Sequence, residues 1–286
     1  MAIVLDNITY TYGVGTPFEK TALRGVSLTI ENGEFLGVIG HTGSGKSTFV
    51  QHLNGLLHPT TGTVTVNGVD ISASTEEAKK MRHKVGMVFQ YPEHQLFEET
   101  IAQDIAFGPK NLGLSADDVD ERVRDAMKFV GLDYDTYAER SPFHLSGGQM
   151  RRVAIAGVVA MDPDFLVLDE PSAGLDPFGR EEIFEEIIRL HKEKGITVIL
   201  VSNNMEDISR MASRLVVLDK GRVVLDGEPM DIFNNHRDEL QAVGVDVPPV
   251  SVTMEYLREQ GLDVSNRVLS VDDAVQAILE GGSHVK

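Results

Sequence analysis

The sequence has 286 residues, of which 42% are hydrophobic, and a formal net charge of -18. This composition is that of a globular protein and excludes disordered and fibrous classes, while the charge argues against a surface that follows nucleic acid or anionic lipid over a wide area. The absence of cysteine excludes disulfide scaffolds, thiolate catalysis and Cys-ligated metals. Apolar runs stay far below the ~18 to 20 residues of a membrane-spanning helix, so we expect any membrane role to need a partner.

Short strands are predicted through the first hundred residues, where apolar and polar residues alternate between Gly, Asn and charged turns. The predicted strands cover residues 3–12, 23–30, 34–39, 63–66 and 85–90. From Thr100 the spacing becomes helical, and Ser115 with Asp118 three residues later predicts a helix start. The apolar face of that helix is Val119, Val123, Met127 and Val130. We interpret residues from about 93 to 162 as a helical insert.

Two continuous apolar runs, 165–168 and 197–201, are typical of strands buried in a parallel sheet. Residues 180–194 between them predict the crossover helix of a βαβ unit. The first domain is therefore expected to span residues 1–235.

The pattern weakens after Gly227, and Pro248 with Pro249 interrupts the chain. Ser270 and Asp273 predict the start of a last helix that ends at Gly281. Its expected apolar stripe is Val275, Ile278 and Leu279. We assign residues 236–286 to a small C-terminal extension.

A phosphate-binding loop is predicted between a strand and a helix that begins near Lys46, because the sequence there fits G-x-x-x-x-G-K-[ST]. Backbone N–H groups and the helix N-terminus would bind phosphate oxygens. Lys46 would supply charge to the β- and γ-phosphates, and the Ser47 hydroxyl can ligate Mg²⁺. The alternative is a glycine-rich turn with an ordinary surface lysine, which the flanking strand and helix disfavour. The residues assigned to the nucleotide are Gly40, His41, Thr42, Gly43, Ser44, Gly45, Lys46, Ser47 and Thr48.

Two acids follow the predicted strand at 165–168. Asp169 is placed to hold Mg²⁺ through water, and Glu170 to polarise an attacking water. Taken alone, two such acids are more often a solvated turn. Together with the phosphate loop, they favour a nucleotide-hydrolysing site.

A second anion-binding helix N-terminus is predicted where Leu-Ser-Gly-Gly-Gln precedes a helix at 150–161. The phosphate loop already accounts for the phosphates of one nucleotide, so a second such site suggests a partner. The alternative is a helix cap with a flexible approach. The residues concerned are Ser146, Gly147, Gly148 and Gln149.

These motifs, in this order, resemble those of ABC-type ATPase subunits, and the resemblance covers nearly all of residues 1 to about 235. It implies an α/β fold with a P-loop NTPase core, an antiparallel β subdomain, a helical signature-motif subdomain and a small C-terminal extension. It further implies that ATP and Mg²⁺ bind between two cassettes, each ATP lying between one phosphate loop and the other subunit's signature motif.

The same resemblance assigns roles to three further residues. It implies that Tyr12 stacks on adenine and that Asp176 lies in a loop that crosses the dimer. Gln90 becomes the lid glutamine at the junction with the helical insert, counted with both the catalytic residues and the Mg²⁺ ligands. The alternatives are a strand-edge aromatic for Tyr12 and a turn residue before Pro177 for Asp176.

A narrower resemblance, in residues 89–97 and 104–113, is to the ATPases of energy-coupling factor importers of vitamins and metal ions, and most to the second of their two types. It implies a peripheral protein at the cytoplasmic face of the cell membrane, without nucleic acid as a partner. The expected partners are a second cassette (a paralogue or the same chain), a substrate-binding membrane protein and a transmembrane coupling protein. The extension would help to pair the cassettes. Basic helices of the coupling protein would enter a groove beside Gln90, facing Glu93, Glu98 and Glu99, unless these acids are a solvated helix start.

One position departs from the family pattern. Where a histidine normally contacts the γ-phosphate, this sequence has Asn203, which can donate a hydrogen bond but cannot carry charge or shuttle a proton. We still place Asn203 with Glu170 and Gln90 among the catalytic residues. The asparagine is either natural in a site tuned to hydrolyse slowly or a deliberate substitution that traps the ATP-bound state.

Two other functions compete with an ATPase that drives an importer. A soluble ABC protein acting on nucleic acid or ribosomes is disfavoured by the single cassette, the lack of a heptad insert and the charge of -18. A nucleotide-binding regulator with weak hydrolysis is kept open by Asn203.

Overall fold

The computed structural model describes residues 1–265 and 267–281. In chain order its strands are β1 (Ala2–Tyr12), β2 (Lys20–Glu31), β3 (Phe35–Ile39), β4 (Thr61–Val66), β5 (Val69–Asp70), β6 (Val85–Val88), β7 (Phe165–Asp169), β8 (Thr197–Val201), β9 (Arg214–Asp219) and β10 (Arg222–Gly227). Its α-helices are α1 (Lys46–Leu53), α2 (Glu76–His83), α3 (Ile101–Asn111), α4 (Ala116–Phe129), α5 (Tyr134–Tyr137), α6 (Gly147–Val159), α7 (Pro177–Lys194), α8 (Met205–Met211), α9 (Pro229–Asn235), α10 (Arg237–Ala242), α11 (Pro249–Glu259) and α12 (Val271–Gly281). Short 3₁₀ helices cover Pro92–Gln95 and Pro142–His144. The strands predicted from the sequence are confirmed, apart from shifts at their ends.

Two sheets organise the described part of the chain. The first is antiparallel with strand order β2-β1-β4-β5, and the second has the order β10-β9-β3-β8-β7-β6. In the second sheet β3, β6, β7, β8 and β9 all run parallel to one another. The edge strand β10 pairs antiparallel with β9. The carboxyl ends of β3 and β7 therefore meet at one edge, where ligands of open α/β sheets bind.

The two faces of the central sheet are buried by different layers. Leu36, Val38 and Val167 point toward the antiparallel sheet and α1, while Ile39 and Leu168 point toward the helices on the other face. Strands buried on both faces need the continuous apolar runs seen in β3, β7 and β8. This explains why those runs do not alternate in the sequence.

Helices α3, α4 and α6 pack against one another beside the central sheet. The predicted start at Ser115 is confirmed, since its side chain accepts from the Asp118 backbone at 3.2 Å. The predicted apolar face of α4 is also confirmed, and Val119, Val123, Met127 and Val130 are all buried.

The C-terminal extension carries a small core of its own around Met254, Val264 and Val268. The Ser270 cap is confirmed by its bond from the Asp273 backbone at 3.1 Å. The predicted stripe is partly wrong. Ala274 and Ala277 are buried and Ile278 is partly buried, whereas Val275 is 51% and Leu279 70% exposed. The small alanine side chains let α12 lie close to this core, and the bulkier residues turn outward. Of the extension assigned to 236–286, residues 266 and 282–286 lie outside the described part.

Candidate nucleotide-binding and catalytic site

The phosphate loop connects β3 to α1, as the sequence predicts. Gly40 has a φ of 152°, and a Cβ there would lie 2.3 Å from the Leu218 carbonyl oxygen. Gly45, with a φ of 113°, is the residue that caps α1. Left-handed backbone at both positions requires glycine, so the loop can curl over the N-terminus of α1.

Lys46 begins α1 and folds back over the loop. Its ammonium donates to the backbone carbonyl oxygens of Gly40 and, at 3.2 Å, of His41. Burial lowers the pKa of Lys46, although Glu170 and Asp169 oppose that shift. The cation is thus held inside the loop, where its charge can act on a phosphate.

Asp169 ends β7 directly opposite the start of α1. The Ser47 hydroxyl donates to its carboxylate. Burial nevertheless raises the pKa of Asp169, despite Ser47 and the charge of Lys46. A hydroxyl and a buried carboxylate in contact are the hard oxygen donors that suit Mg²⁺.

Glu170 has a left-handed backbone, with a φ of 52°, which is uncommon for a residue other than glycine. Its N–H donates to the Val201 carbonyl at 3.0 Å, so the chain turns sharply at the sheet edge. Burial and then the neighbouring Asp169 raise the pKa of Glu170, while Lys46 and the backbone of Asn203 lower it. Within the described residues its Oε1 is buried without a hydrogen-bond partner. A carboxyl with a raised pKa and an unused acceptor oxygen is suited to general-base chemistry.

Asn203 and Tyr12 both line the same cavity. Asn203 is exposed, and it precedes Asn204, which caps α8. Tyr12 is 41% exposed, and its hydroxyl shares a hydrogen bond of 3.1 Å with the Thr48 hydroxyl. The ring therefore offers a stacking surface beside the phosphate loop.

One cavity of about 950 Å³ brings most of the predicted site residues together. Those that line it are Tyr12, Thr42, Gly43, Gly45, Lys46, Ser47, Thr48, Gln90, Asp169, Glu170 and Asn203. Gly40, His41 and Ser44 belong to the same loop but are not among the residues that line the cavity. Ser44 is fully buried, and the His41 ring contacts Asp219 at 3.0 Å.

Several cations in the cavity wall were missed by the sequence reasoning. They are Lys20, Arg24, Lys220 and Arg222. They come from β2 and from the turn and strand after β9, and no motif marks them. In a chain with a net charge of -18, this cluster makes the cavity a local site for an anion.

The signature residues lie apart from the cavity, at the N-terminus of α6. The Ser146 side chain accepts from the Gln149 backbone at 3.3 Å, and the Gln149 side chain accepts from the Ser146 N–H at 3.1 Å. This is a capping box. Among the described residues, a Cβ on Gly147 or Gly148 would meet no atom within 4 Å, so this helix end is open to another molecule. Asp176 caps the N-terminus of α7, where its side chain accepts a hydrogen bond from the Gly179 backbone at 2.7 Å.

The expectation for Glu93 is wrong. Glu93 forms an ion pair with Arg151, a side chain that is only 2% exposed, at 3.0 Å. The negative charge of Glu93 therefore pairs with a cation of the same chain, because the buried guanidinium requires a partner. Glu98 is partly exposed and Glu99 is exposed, so both remain at the surface.

Comparisons with known proteins agree with this geometry. The ABC transporter family matches residues 23–173. The structure of cbiO1 from Clostridium perfringens, part of the ABC transporter complex cbiONQ, is 36% identical with a TM-score of 0.74, covering 88% of this chain and 98% of that one. The ATP-binding cassette MJ0796, solved as a dimer bound to ADP and Pi, is 30% identical with a TM-score of 0.69, covering 79% of this chain and 98% of that chain. The chain belongs to the ABC transporter family of ATPases, and the predicted α/β fold with its P-loop NTPase core is confirmed.

Its relatives define the subgroup. The energy-coupling factor transporter ATP-binding protein EcfA2 of Clostridium tetani is 53% identical, covering 98% of this chain and 97% of its own length. EcfA2 of Bacillus cereus is 50% identical, covering 99% of this chain and 98% of its own length. The predicted resemblance to energy-coupling factor ATPases is thereby confirmed. Among the residues that the structure describes, no helix is both long and apolar enough to span a bilayer.

Proposed function

We propose that this chain is the ATP-binding subunit of an energy-coupling factor importer and hydrolyses ATP at the interface of two cassettes. One observation carries the proposal. Lys46, Ser47, Asp169 and Glu170 converge in a single cavity, while Ser146 and its neighbours form an open helix N-terminus elsewhere on the chain. A subunit of this shape holds one nucleotide itself and offers a second anion site to a partner.

The residues of the cavity divide the work. Backbone N–H groups of residues 40–48 and the Lys46 ammonium bind and orient the phosphates. The Tyr12 ring stacks on the adenine. Glu170 accepts a proton from the attacking water, which its raised pKa favours. Gln90 and the Asn203 amide orient that water and the γ-phosphate by hydrogen bonds.

Mg²⁺ fits the donor set of this site. Ser47, Asp169 and Gln90 would hold it, since the Ser47 hydroxyl already contacts the Asp169 carboxylate and Gln90 lines the same cavity. The ion would neutralise charge on the β- and γ-phosphates. Its removal by a chelator is expected to stop hydrolysis.

A second cassette completes the site. Ser146, Gly147, Gly148 and Gln149 would contact the γ-phosphate of the ATP that the partner holds, and the partner's equivalent motif would cover the cavity of this chain. The partner is a paralogue or a second copy. Two apolar residues of α12 support a role for the extension in pairing, because Val271 is 66% and Val275 51% exposed.

The surface that we propose for contact with the membrane coupling protein, the coupling surface, consists of Phe97, Phe107, Glu98 and Glu99. Phe97 and Phe107 are exposed and pack edge to face, with ring centroids 4.9 Å apart. Glu98 and Glu99 directly follow Phe97 in the chain. An apolar pair with acidic neighbours fits an amphipathic basic helix, as we propose for the membrane coupling protein. Through this contact the subunit would be peripheral at the cytoplasmic face of the membrane, together with a substrate-binding membrane protein.

Co-purification tests the proposal. The tagged chain is extracted from membranes in mild detergent, and the bound chains are identified by mass spectrometry. We expect a second cassette and membrane proteins, and a Mg²⁺-dependent ATPase that Glu170→Gln slows. A monomer without ATPase activity would instead support the nucleotide-binding regulator that Asn203 suggests. Co-purified ribosomes or nucleic acid would contradict the transport function.

A further inference from the structure

Arg151 is a buried cation on the signature helix α6, and its side chain contacts two other functional segments. It lies two residues after Gln149 on α6, and its side chain is 2% exposed. A guanidinium so deeply buried is costly unless all its donors find partners. Its environment therefore shows which parts of the chain it must hold.

The first partner is the turn that follows Gln90. The Nε and Nη2 atoms of Arg151 donate to the two carboxylate oxygens of Glu93 at 3.1 and 3.0 Å. Burial raises the pKa of Glu93, but the hydrogen bond and charge of Arg151, together with the Glu93 backbone N–H and His94, lower the pKa below its usual value. The pair is thus a bidentate, charge-assisted contact, which is directional as well as strong.

The second partner is the residue that follows Glu170. The Nη1 atom of Arg151 donates to the carbonyl oxygen of Pro171 at 2.9 Å, and this contact is buried. Glu170 itself lies in left-handed backbone, with a φ of 52°. Strained backbone persists only where its surroundings hold it, and the bond to Pro171 is one such restraint.

We propose that Arg151 is a positioning residue that fixes the signature helix, the Gln90 turn and the end of β7 as one rigid unit. The inference rests on the proposed function, because the signature motif of this chain then serves the partner's ATP while Glu170 serves its own. One guanidinium would keep the signature motif and Glu170 in a fixed position relative to each other. A lysine cannot replace it, since an ammonium lacks the planar fork that contacts Glu93 and Pro171 together.

The test separates the two ATP sites of the isolated cassette pair. In the first arm the partner's equivalent of Glu170 is changed to Gln, so that only the cavity of this chain turns over. In the second arm Glu170→Gln is introduced here, so that only the site served by this chain's signature motif turns over. If the pair consists of two copies of this chain, two affinity tags isolate the mixed dimers. Arg151→Lys is then added to this chain in each arm.

We expect Arg151→Lys to lower turnover by about tenfold or more in both arms, with KM for ATP changed by less than about twofold, because positioning acts on the transition state. Glu93→Gln keeps Arg151 in place and should have the same pattern at smaller size, which preserves the test if Arg151→Lys does not fold. Arg124→Lys is the matched control, since Arg124 pairs with Asp120 on exposed helix surface. It should change neither arm.

Each outcome decides the question. A loss in both arms supports the proposal. A loss in one arm only, or in neither, overturns it, and so does a rise in KM that accounts for the whole effect. If the unmodified pair has no ATPase activity, or if Glu170→Gln leaves the activity of this chain's own cavity unchanged, the proposed function fails and the inference falls with it.

Discussion

Glu186 gives the chain a titratable group whose pH dependence can be worked out from the structure. It lies on α7 and faces Arg152 of α6, with 3.8 Å between Oε1 and Nη1. Arg152 makes its shorter contact with Glu182. Within residues 1–265 and 267–281 the Oε2 atom of Glu186 is buried without a hydrogen-bond partner. Burial raises the pKa of Glu186 from 4.5 to about 7, and the charges of Arg152 and Arg189 do not compensate.

The sign of the effect follows from the raised pKa. Below pH 4.5 the carboxyl is protonated in both the folded and the unfolded chain and contributes nothing. Between pH 4.5 and about 7 the unfolded chain ionises while the folded chain stays protonated, so stability falls as the pH rises. Above that range the carboxyl is ionised in both states, and the loss in folding stability reaches its full value, about 3 kcal/mol for this difference in pKa.

We therefore predict that Glu186→Gln stabilises the nucleotide-free chain by about 3 kcal/mol at pH 8 and by only about 1 kcal/mol at pH 5. The amide keeps the shape of the side chain and removes the buried charge, while Arg152 retains Glu182. The free energy of unfolding is measured by urea titration of both proteins at each pH. Glu193→Gln is the control, because it removes the same charge from an exposed position on α7. A stabilisation that does not change with pH, or a destabilisation at pH 8, would refute the burial argument.

The remaining predictions concern the nucleotide and the membrane. Lys46→Ala should abolish tight ATP binding, measured by titration calorimetry, because the loop loses its main counter-charge. Glu170→Gln should retain ATP affinity but slow turnover by about two orders of magnitude, and normal turnover would remove it from the catalytic role. Asn203→His should raise turnover roughly tenfold at unchanged affinity, since a charged donor stabilises the transition state better than an amide. This is measured with the partner's catalytic glutamate disabled. Glu98→Lys with Glu99→Lys should preserve ATP binding and release the membrane subunits in pull-downs, and full retention at low salt would mean that these acids are merely solvated.

Much of the nucleotide site could be predicted because local sequence dictates its backbone. The spacing of Gly40, Gly45 and Lys46 specifies one loop between one strand and one helix, and the structure has that loop. The continuous apolar run before Asp169 likewise specifies a strand buried on both faces. Parallel strands place the two motifs at the same sheet edge, so their approach follows from the topology.

The cations that surround this cavity could not be predicted in the same way. Lys20 and Arg24 lie on β2 of the antiparallel sheet, whereas Arg222 begins β10 of the other sheet. Their positions depend on how the two sheets pack, and no local pattern records that packing. The stripe of α12 was misjudged for a related reason. Helical spacing indicates which residues share a face, but the partner helix decides which face is buried.

Glu93 shows why charge in a sequence does not reveal where that charge acts. It lies close to Glu98 and Glu99 in the chain, and all three are equally plausible partners for basic helices on composition alone. Arg151 is 58 residues away, and only the fold brings its buried guanidinium to Glu93. If Glu93 turned outward, the buried Arg151 cation would be left unpaired. The free-energy penalty of an unpaired buried cation is far larger than the stabilisation from a surface ion pair. The acidic residues of the proposed coupling surface are therefore Glu98 and Glu99, while the charge of Glu93 is tied to the signature helix.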